Sequence, residues 1–426
     1  MRFALVLFTA AALLPAAAAP FEAGVARVEI TPSTLLPMYG YGNRKGPAVG
    51  YHDPLHAKAL VLAAGSDRVA IVTLDIGMFY SERLRRRVTD ELGIPVLILA
   101  SSHTHSGPSF IKNREDAPDP SSEQQAYLKE LEEKLFGIVK EASANMFPAR
   151  IGLARGALRA GYNRLVLRED GRARANFDNR EHVAYGPVDP EFVLLKIEDI
   201  SGAARALLVH YACHAVVLQG SNRKYSADYP GVLQARVEEA MKGVQCMFVQ
   251  GGAGDINPLS MGQTGEDEED FKAVRRMGDA LAREVLTTAN TIRTTEPARP
   301  EIRAKAELLT FADRWNKNET VEAGITTVLI NREIAIAAVP GEPLHRLQTF
   351  WKANADVAWP LFYGYSVSSA ETWPGYIPDL RSAAYGGYGA DVSTNIEVGA
   401  AERIMQRHLI NLYGLRDMWL DKPGKN

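Results

Sequence analysis

The chain has 426 residues and a formal net charge of −3, enough for one large domain or two ordinary ones. Apolar residues make up 46% and charged residues 23%, the balance of a globular chain rather than a disordered or fibrous one. With no basic excess, there is no electrostatic case for nucleic acid.

The first stretch, "MRFALVLFTAAALLPAAAAP", joins a basic start at Arg2 to an apolar run and a run of small residues. It reads as a signal peptide over residues 1–19, cut around Ala18 or Ala19 and directing the mature chain to the periplasm or outside the cell. The apolar run is short for a membrane span, and no later segment is long and apolar enough. Residues 20–426 are then expected to form a single domain. Cys213 and Cys246 are the two cysteines, and both sit in apolar runs. Buried free thiols are the expectation, since two cysteines do not make a disulfide framework.

Short runs rich in Val, Ile and Leu recur along the chain. They include "GVARVEI", "KALVLAA", "RVAIVTLD", "PVLILAS", "FVLLKIE", "ALLVHYA", "QCMFVQGG", "TTVLIN" and "EIAIAAVPG", each bounded by turn residues and each read as a strand. Apolar spacing of 3.6 predicts helices near 80–92, 122–146, 230–243, 269–292, 344–355 and 398–413. The interleaving predicts an α/β fold with a mixed sheet flanked by helices. A Pro- and Thr-rich seam falls at 294–304. The acidic run at 265–270 reads as favourable charge at a helix N-terminus.

Chemistry concentrates where strand-like runs end. "ILASSHTHSGPSF" places His103 and His105 two apart, so in extended backbone both face one side. Paired imidazoles are a common way to hold a transition metal. His214 ends another apolar run. His210, four residues earlier, is read as structural. "SADYPG" puts Asp228 near a helix start. "VQGGAGDINPL" is a Gly-rich turn where backbone must approach something closely, with Asp255 and Asn257 as its polar residues. "VPGEPLHRL" brings Glu342 to a strand end, able to cap a helix or bind a metal. His345 has Glu-x-x-His spacing but is expected on the helix surface. The loop at 371–391, rich in Gly, Pro and Tyr, is of the kind that lines clefts.

In this order, "GVARVEITP", "SSHTHSGP", "YNR", "CHAVVL", "SADYPG", "GDINP", "PGEP" and "GYIP" resemble the neutral/alkaline non-lysosomal ceramidase family. The likeness runs over nearly the whole mature chain as that family's catalytic domain. The chain stops soon after its last predicted helix, so the family's immunoglobulin-like C-terminal domain is expected to be absent. The resemblance implies a zinc-dependent amidase that cleaves the N-acyl bond of ceramide. It implies metal ligands at His103, His214, Glu342 and Tyr376. It further implies active-site roles for His105, Arg164 and Tyr388. The family's catalytic serine lies in a Gly-(Asp/Asn)-hydrophobic-Ser-Pro string, and here that position is Asn257. Hydrolysis by zinc-activated water is therefore expected. The alternatives are an ester, lactone or envelope amide as substrate, or a non-catalytic binding protein on the same scaffold.

Overall fold

The computed structural model describes residues 20–112, 118–262, 264–265, 267–367 and 373–419. The expected signal peptide at 1–19 lies outside the described residues, as does part of the loop at 371–391. The expected strands and the six expected helices all form. The helices are α1 (Glu82–Leu92), α2 (Ser122–Ala144), α3 (Asp228–Ala240), α4 (Asp267–Ala289) and α5 (His345–Asn354), then a short α6 (Leu380–Tyr385) that the spacing did not predict, and α7 (Ala400–Leu415).

Local chemistry sets the ends. Ser81 Oγ accepts the Leu84 N–H at the start of α1, and Gly93 closes that helix at φ 64°, a conformation that costs glycine little. At α2, Ser121 and Gln124 form a reciprocal capping box. The acidic run does what its charge suggests: Asp267, Glu268, Glu269 and Asp270 occupy the first turn of α4.

The main sheet has nine strands, in the order Gln245–Gln250, Ala204–Tyr211, Glu191–Asp199, Phe147–Ala157, Phe21–Glu29, His56–Ala64, Asp67–Leu74, Val96–Ser101 and Ser366–Val367. Two pairings are parallel, Asp67–Leu74 with Val96–Ser101 and Ala204–Tyr211 with Gln245–Gln250. The other pairings in this sheet are antiparallel. The strands read as continuous apolar runs because both faces are covered. In His56–Ala64, Ala57, Ala59 and Val61 join the cluster under α1 and α2, while Leu60, Leu62 and Ala64 face the other way. Helices α3 and α4 cover the far end of the first face.

The second face packs on a four-stranded sheet, ordered Ile302–Ala312, Thr320–Ile330, Ile334–Ala338 and Trp359–Tyr363. Val328, Ile336 and Tyr363 share one buried cluster with Ile71, Ile98 and Val249. Residues before and after the 294–304 seam therefore contribute to the same core. Helices α5 and α7 cover the outside of this second sheet. The result is helix, sheet, sheet, helix: the mixed core flanked by helices that was expected, but with two stacked sheets inside. Cys213 and Cys246 are buried and unpaired. No helix among the described residues is long and apolar enough to cross a membrane.

The site forms where two distant strands of the main sheet meet. Strands Gln245–Gln250 and Val96–Ser101, far apart in sheet order, end side by side. Gln250 Nε2 donates to Ser102 O at 3.1 Å across that junction.

Candidate metal centre and catalytic pocket

His103 lies two residues past the end of strand Val96–Ser101, with φ at 62°. The His-Thr-His segment is thus a turn and not the extended run assumed from the spacing. The His103 N–H donates to Ile76 O at 3.0 Å, and that of His105 to Ala215 O at 3.3 Å. The two imidazoles still meet, their Nε2 atoms 3.2 Å apart. A tight left-handed turn, and not strand alternation, aims them at one point.

His214 follows strand Ala204–Tyr211, held by its own N–H to Ile256 O at 2.9 Å. Glu342 follows strand Ile334–Ala338 and pairs in parallel with Tyr376. Its N–H donates to Gly375 O at 2.9 Å. The Gly-rich turn makes the close approach its composition suggested: a Cβ on Gly254 would lie 2.5 Å from Glu342 O.

The donor geometry is specific. His103 Nδ1 donates to Gly77 O at 2.7 Å, and His214 Nδ1 to Ala253 O at 2.6 Å. In neutral rings this leaves both Nε2 lone pairs free. Both Nε2 atoms sit 3.2 Å from Glu342 Oε2. Two lone pairs and a carboxylate oxygen converge, and a cation satisfies all three. Donors about 2.0–2.1 Å from a tetrahedral centre lie about 3.3 Å from each other, so the spacing fits a zinc-sized ion. His103, His105 and His214 together offer nitrogens within 4.8 Å of one another.

Electrostatics agree with a preformed site. Burial raises the Glu342 pKa, but positive charge on the facing His103 and His214 outweighs it and holds the carboxyl well below its usual range, the role a cation would take between neutral rings. Burial, reinforced by its histidine neighbours, pushes His105 well below its ordinary value. Burial and then Glu342 push the Tyr376 hydroxyl well up. Tyr376 is buried and its ring lies 5.4 Å from that of Tyr388, which is 38% exposed.

A cavity of about 390 Å³ opens beside this cluster, lined in part by Tyr41, His105, Arg164, Asn257, Tyr376 and Tyr388. Arg164 is buried, and its guanidinium carbon lies 5.4 Å from the ring centres of Phe177, Tyr376 and Tyr388. Its Nη1 donates to Asn257 Oδ1 at 3.0 Å, while Nε and Nη2 are buried without a hydrogen-bond partner among the described residues. The short strands Gly161–Asn163 and Ile256–Pro258 pair through Asn257 and Tyr162, which puts Asn257 next to Arg164.

Several expectations need restating against the structure. His345 is not on the helix surface: it opens α5, is 4% exposed, and its Nδ1 lies 2.6 Å from Asp255 Oδ2. The buried Asp255 carboxylate attracts it, because Asp255 also anchors the His345 N–H at 2.8 Å and Asn163 Nδ2 at 2.8 Å. His210 is buried in its strand, as a structural residue should be. Asp228 opens α3, and its carboxylate accepts from Leu218 N and Tyr229 N. Sequence reasoning missed Tyr365 and the turn at 39–42. Tyr365 is fully buried, with its ring 4.4 Å from that of His103. In the turn, the "YGYG" string was the available signal. Gly40 has φ 98°, and a Cβ there would lie 2.3 Å from the His105 ring.

Fold and site together define an α/β protein with a histidine–carboxylate cluster at strand ends that could hold a metal ion. Residues 21–284, more than half of the chain, match the family model described as neutral/alkaline non-lysosomal ceramidase, N-terminal, and the chain belongs to that family. It is 24% identical over 268 residues to neutral ceramidase B of Dictyostelium discoideum and 25% identical over 269 residues to neutral ceramidase A of the same organism. Each match takes in 58% of this chain and 37% of the relative's length. The crystal structure of neutral ceramidase from Pseudomonas aeruginosa superposes with a TM-score of 0.75 at 16% identity, covering 95% of this chain and 76% of that one. A structure described as ceramidase complexed with C2 gives 0.75 at 16%, covering 96% and 77%. At that identity these two matches speak for the fold.

Proposed function

We propose that the protein is a zinc-dependent hydrolase of an N-acyl amide, with an N-acyl lipid of ceramide type as its substrate class. The observation that carries this reading is the convergence of His103 Nε2 and His214 Nε2 on Glu342 Oε2, both at 3.2 Å, beside a cavity holding a buried arginine with unpartnered nitrogens. His103, His214, Glu342 and Tyr376 are assigned as the ligands. The apolar N-terminal stretch supports export of the mature chain.

Zinc held there would supply a Lewis acid for the amide carbonyl and lower the pKa of water. The chain's own groups do the rest. Arg164 directs Nε and Nη2 at the carbonyl oxygen as it gains charge, and buried cationic donors are effective there because water is excluded. Asn257 accepts from Arg164 Nη1 and fixes the guanidinium. His105 takes the proton at Nε2 as water adds to the carbonyl carbon, then returns it to the leaving nitrogen as the C–N bond breaks. Its Nδ1 has no hydrogen-bond partner. Tyr41, Phe177 and Tyr388 form the aromatic mouth that selects the substrate.

Asn257 has no proton to lose and cannot attack as a serine would. That single residue favours direct attack by water, and it also motivates a second reading, a hydrolase of another ester, lactone or envelope amide.

The deciding experiment is elemental analysis of the purified protein with His103→Ala beside it, followed by a substrate panel led by N-acyl amides. About one zinc in the wild type and none in the variant, with amide turnover lost, supports the proposal. A metal-free wild type even after zinc is restored would replace it with a non-catalytic binding protein. Faster turnover of esters or lactones than of amides would favour the second reading.

A further inference from the structure

Back to back with the catalytic pocket lies a second cavity of about 270 Å³, which the proposed reaction does not use. The two share a wall. Asn163 and Leu165 line the second cavity while Arg164, between them, lines the first, since neighbouring side chains along an extended segment point to opposite faces.

The polar end of this cavity is built from His345, Arg346 and Arg381. His345 is 96% removed from solvent, and Asp255 occupies its Nδ1 and its backbone N–H. Its Nε2 has no hydrogen-bond partner among the described residues. Burial lowers the His345 pKa, but the Asp255 carboxylate outweighs it and shifts it upward, favouring a proton on Nε2 as well. Arg381 lies over the Tyr385 ring at 5.3 Å and has no carboxylate partner among the described residues. Arg346 Nε reaches Asp379 only at 3.9 Å. That aspartate is already engaged, capping α6 through Arg381 N and Ser382 N and accepting Ser382 Oγ at 2.6 Å. Two guanidinium groups thus line the cavity without a close carboxylate, Arg381 having none among the described residues and Arg346 only the long contact to Asp379. The apolar part of the lining is Leu165, Val166, Leu167, Ala173 and Pro187.

We propose that this cavity is a binding site for a monocarboxylate with a short apolar chain, its carboxylate held by Arg381, Arg346 and His345 Nε2 and its chain against the Leu165–Leu167 segment. A planar carboxylate matches the guanidinium fork in charge and geometry. The apolar wall favours a chain longer than that of acetate. The site stands independently of the metal centre, so its failure leaves the proposed hydrolysis untouched.

The test is thermal unfolding of the protein as purified, titrated with hexanoate, acetate and inorganic phosphate, for the wild type and Arg381→Ala. Arg381 is exposed on a short helix, so the unliganded variant should unfold at the wild-type midpoint. A ligand that binds only the folded state raises the midpoint in a saturable way. Expected is a saturable rise with hexanoate, a smaller one with acetate, and at least a tenfold weaker apparent affinity in Arg381→Ala. Equal affinity in the two proteins, or no saturable rise, overturns the site. Phosphate binding as tightly as hexanoate overturns the assignment to a monocarboxylate.

Discussion

The rings of His103 and Tyr365 lie 4.4 Å apart, and both residues sit at positive φ, 62° and 54°. Such conformations cost on the order of 1–3 kcal/mol each in side chains other than glycine, and they gather at functional sites. The surroundings over-determine them here. The Tyr365 carbonyl accepts from Ser101 N at 3.2 Å, and Ser366 N donates to Val339 O at 3.1 Å. The Tyr365 hydroxyl is buried without a hydrogen-bond partner among the described residues.

An unsatisfied buried hydroxyl costs about 1–3 kcal/mol. Tyr365→Phe removes that penalty and keeps the ring against His103. The expected outcome is a metal-free protein more stable by about 1 kcal/mol, measured by denaturant unfolding in the presence of a chelator. A loss of stability would mean that the hydroxyl has a partner in solution.

Gly40 gives room for His105. Gly40→Ala forces the His105 ring aside and strains a φ of 98°, while leaving His103, His214 and Glu342 in place. Amide turnover should fall at least tenfold with zinc content unchanged. Equal loss of zinc and turnover would instead make His105 a metal ligand.

Asn257 stands where the family's nucleophile is expected. Asn257→Ser restores a hydroxyl next to Arg164 and the metal cluster. If the family's route is still latent in the fold, turnover of an N-acyl amide should rise about tenfold or more, with a burst of released amine as the acyl group is retained. Unchanged kinetics would show that water attack has become the sole route in this chain.

Part of the acid sensitivity should trace to His408 of α7, which is fully buried with Nδ1 2.8 Å from Thr327 Oγ1. Burial pushes its pKa from 6.5 down to about 3. The folded state therefore holds the neutral ring, while the unfolded chain takes up a proton below about 6.5. The stability from the neutral ring is complete above pH 6.5 and drains as pH falls towards 3. His408→Gln should flatten this limb of a stability–pH curve, at a constant cost near neutrality. A curve parallel to the wild type's would assign the acid sensitivity elsewhere.

The sequence by itself determined the elements and marked the residues of the candidate site. Strands buried on both faces are nearly unbroken apolar runs, and helices keep their 3.6 spacing, so local composition marks both. His103, His214 and Glu342 were legible because each follows such a run directly. Tertiary structure alone decided how they meet. Nothing local in "SSHTHSGP" specifies a left-handed turn at His103. The stacking of two sheets, and the meeting of distant strand ends, arise from packing across the whole chain. His345 shows the limit most plainly: its own helix would leave it at the surface, and the partner that buries it, Asp255, lies 90 residues earlier in the chain.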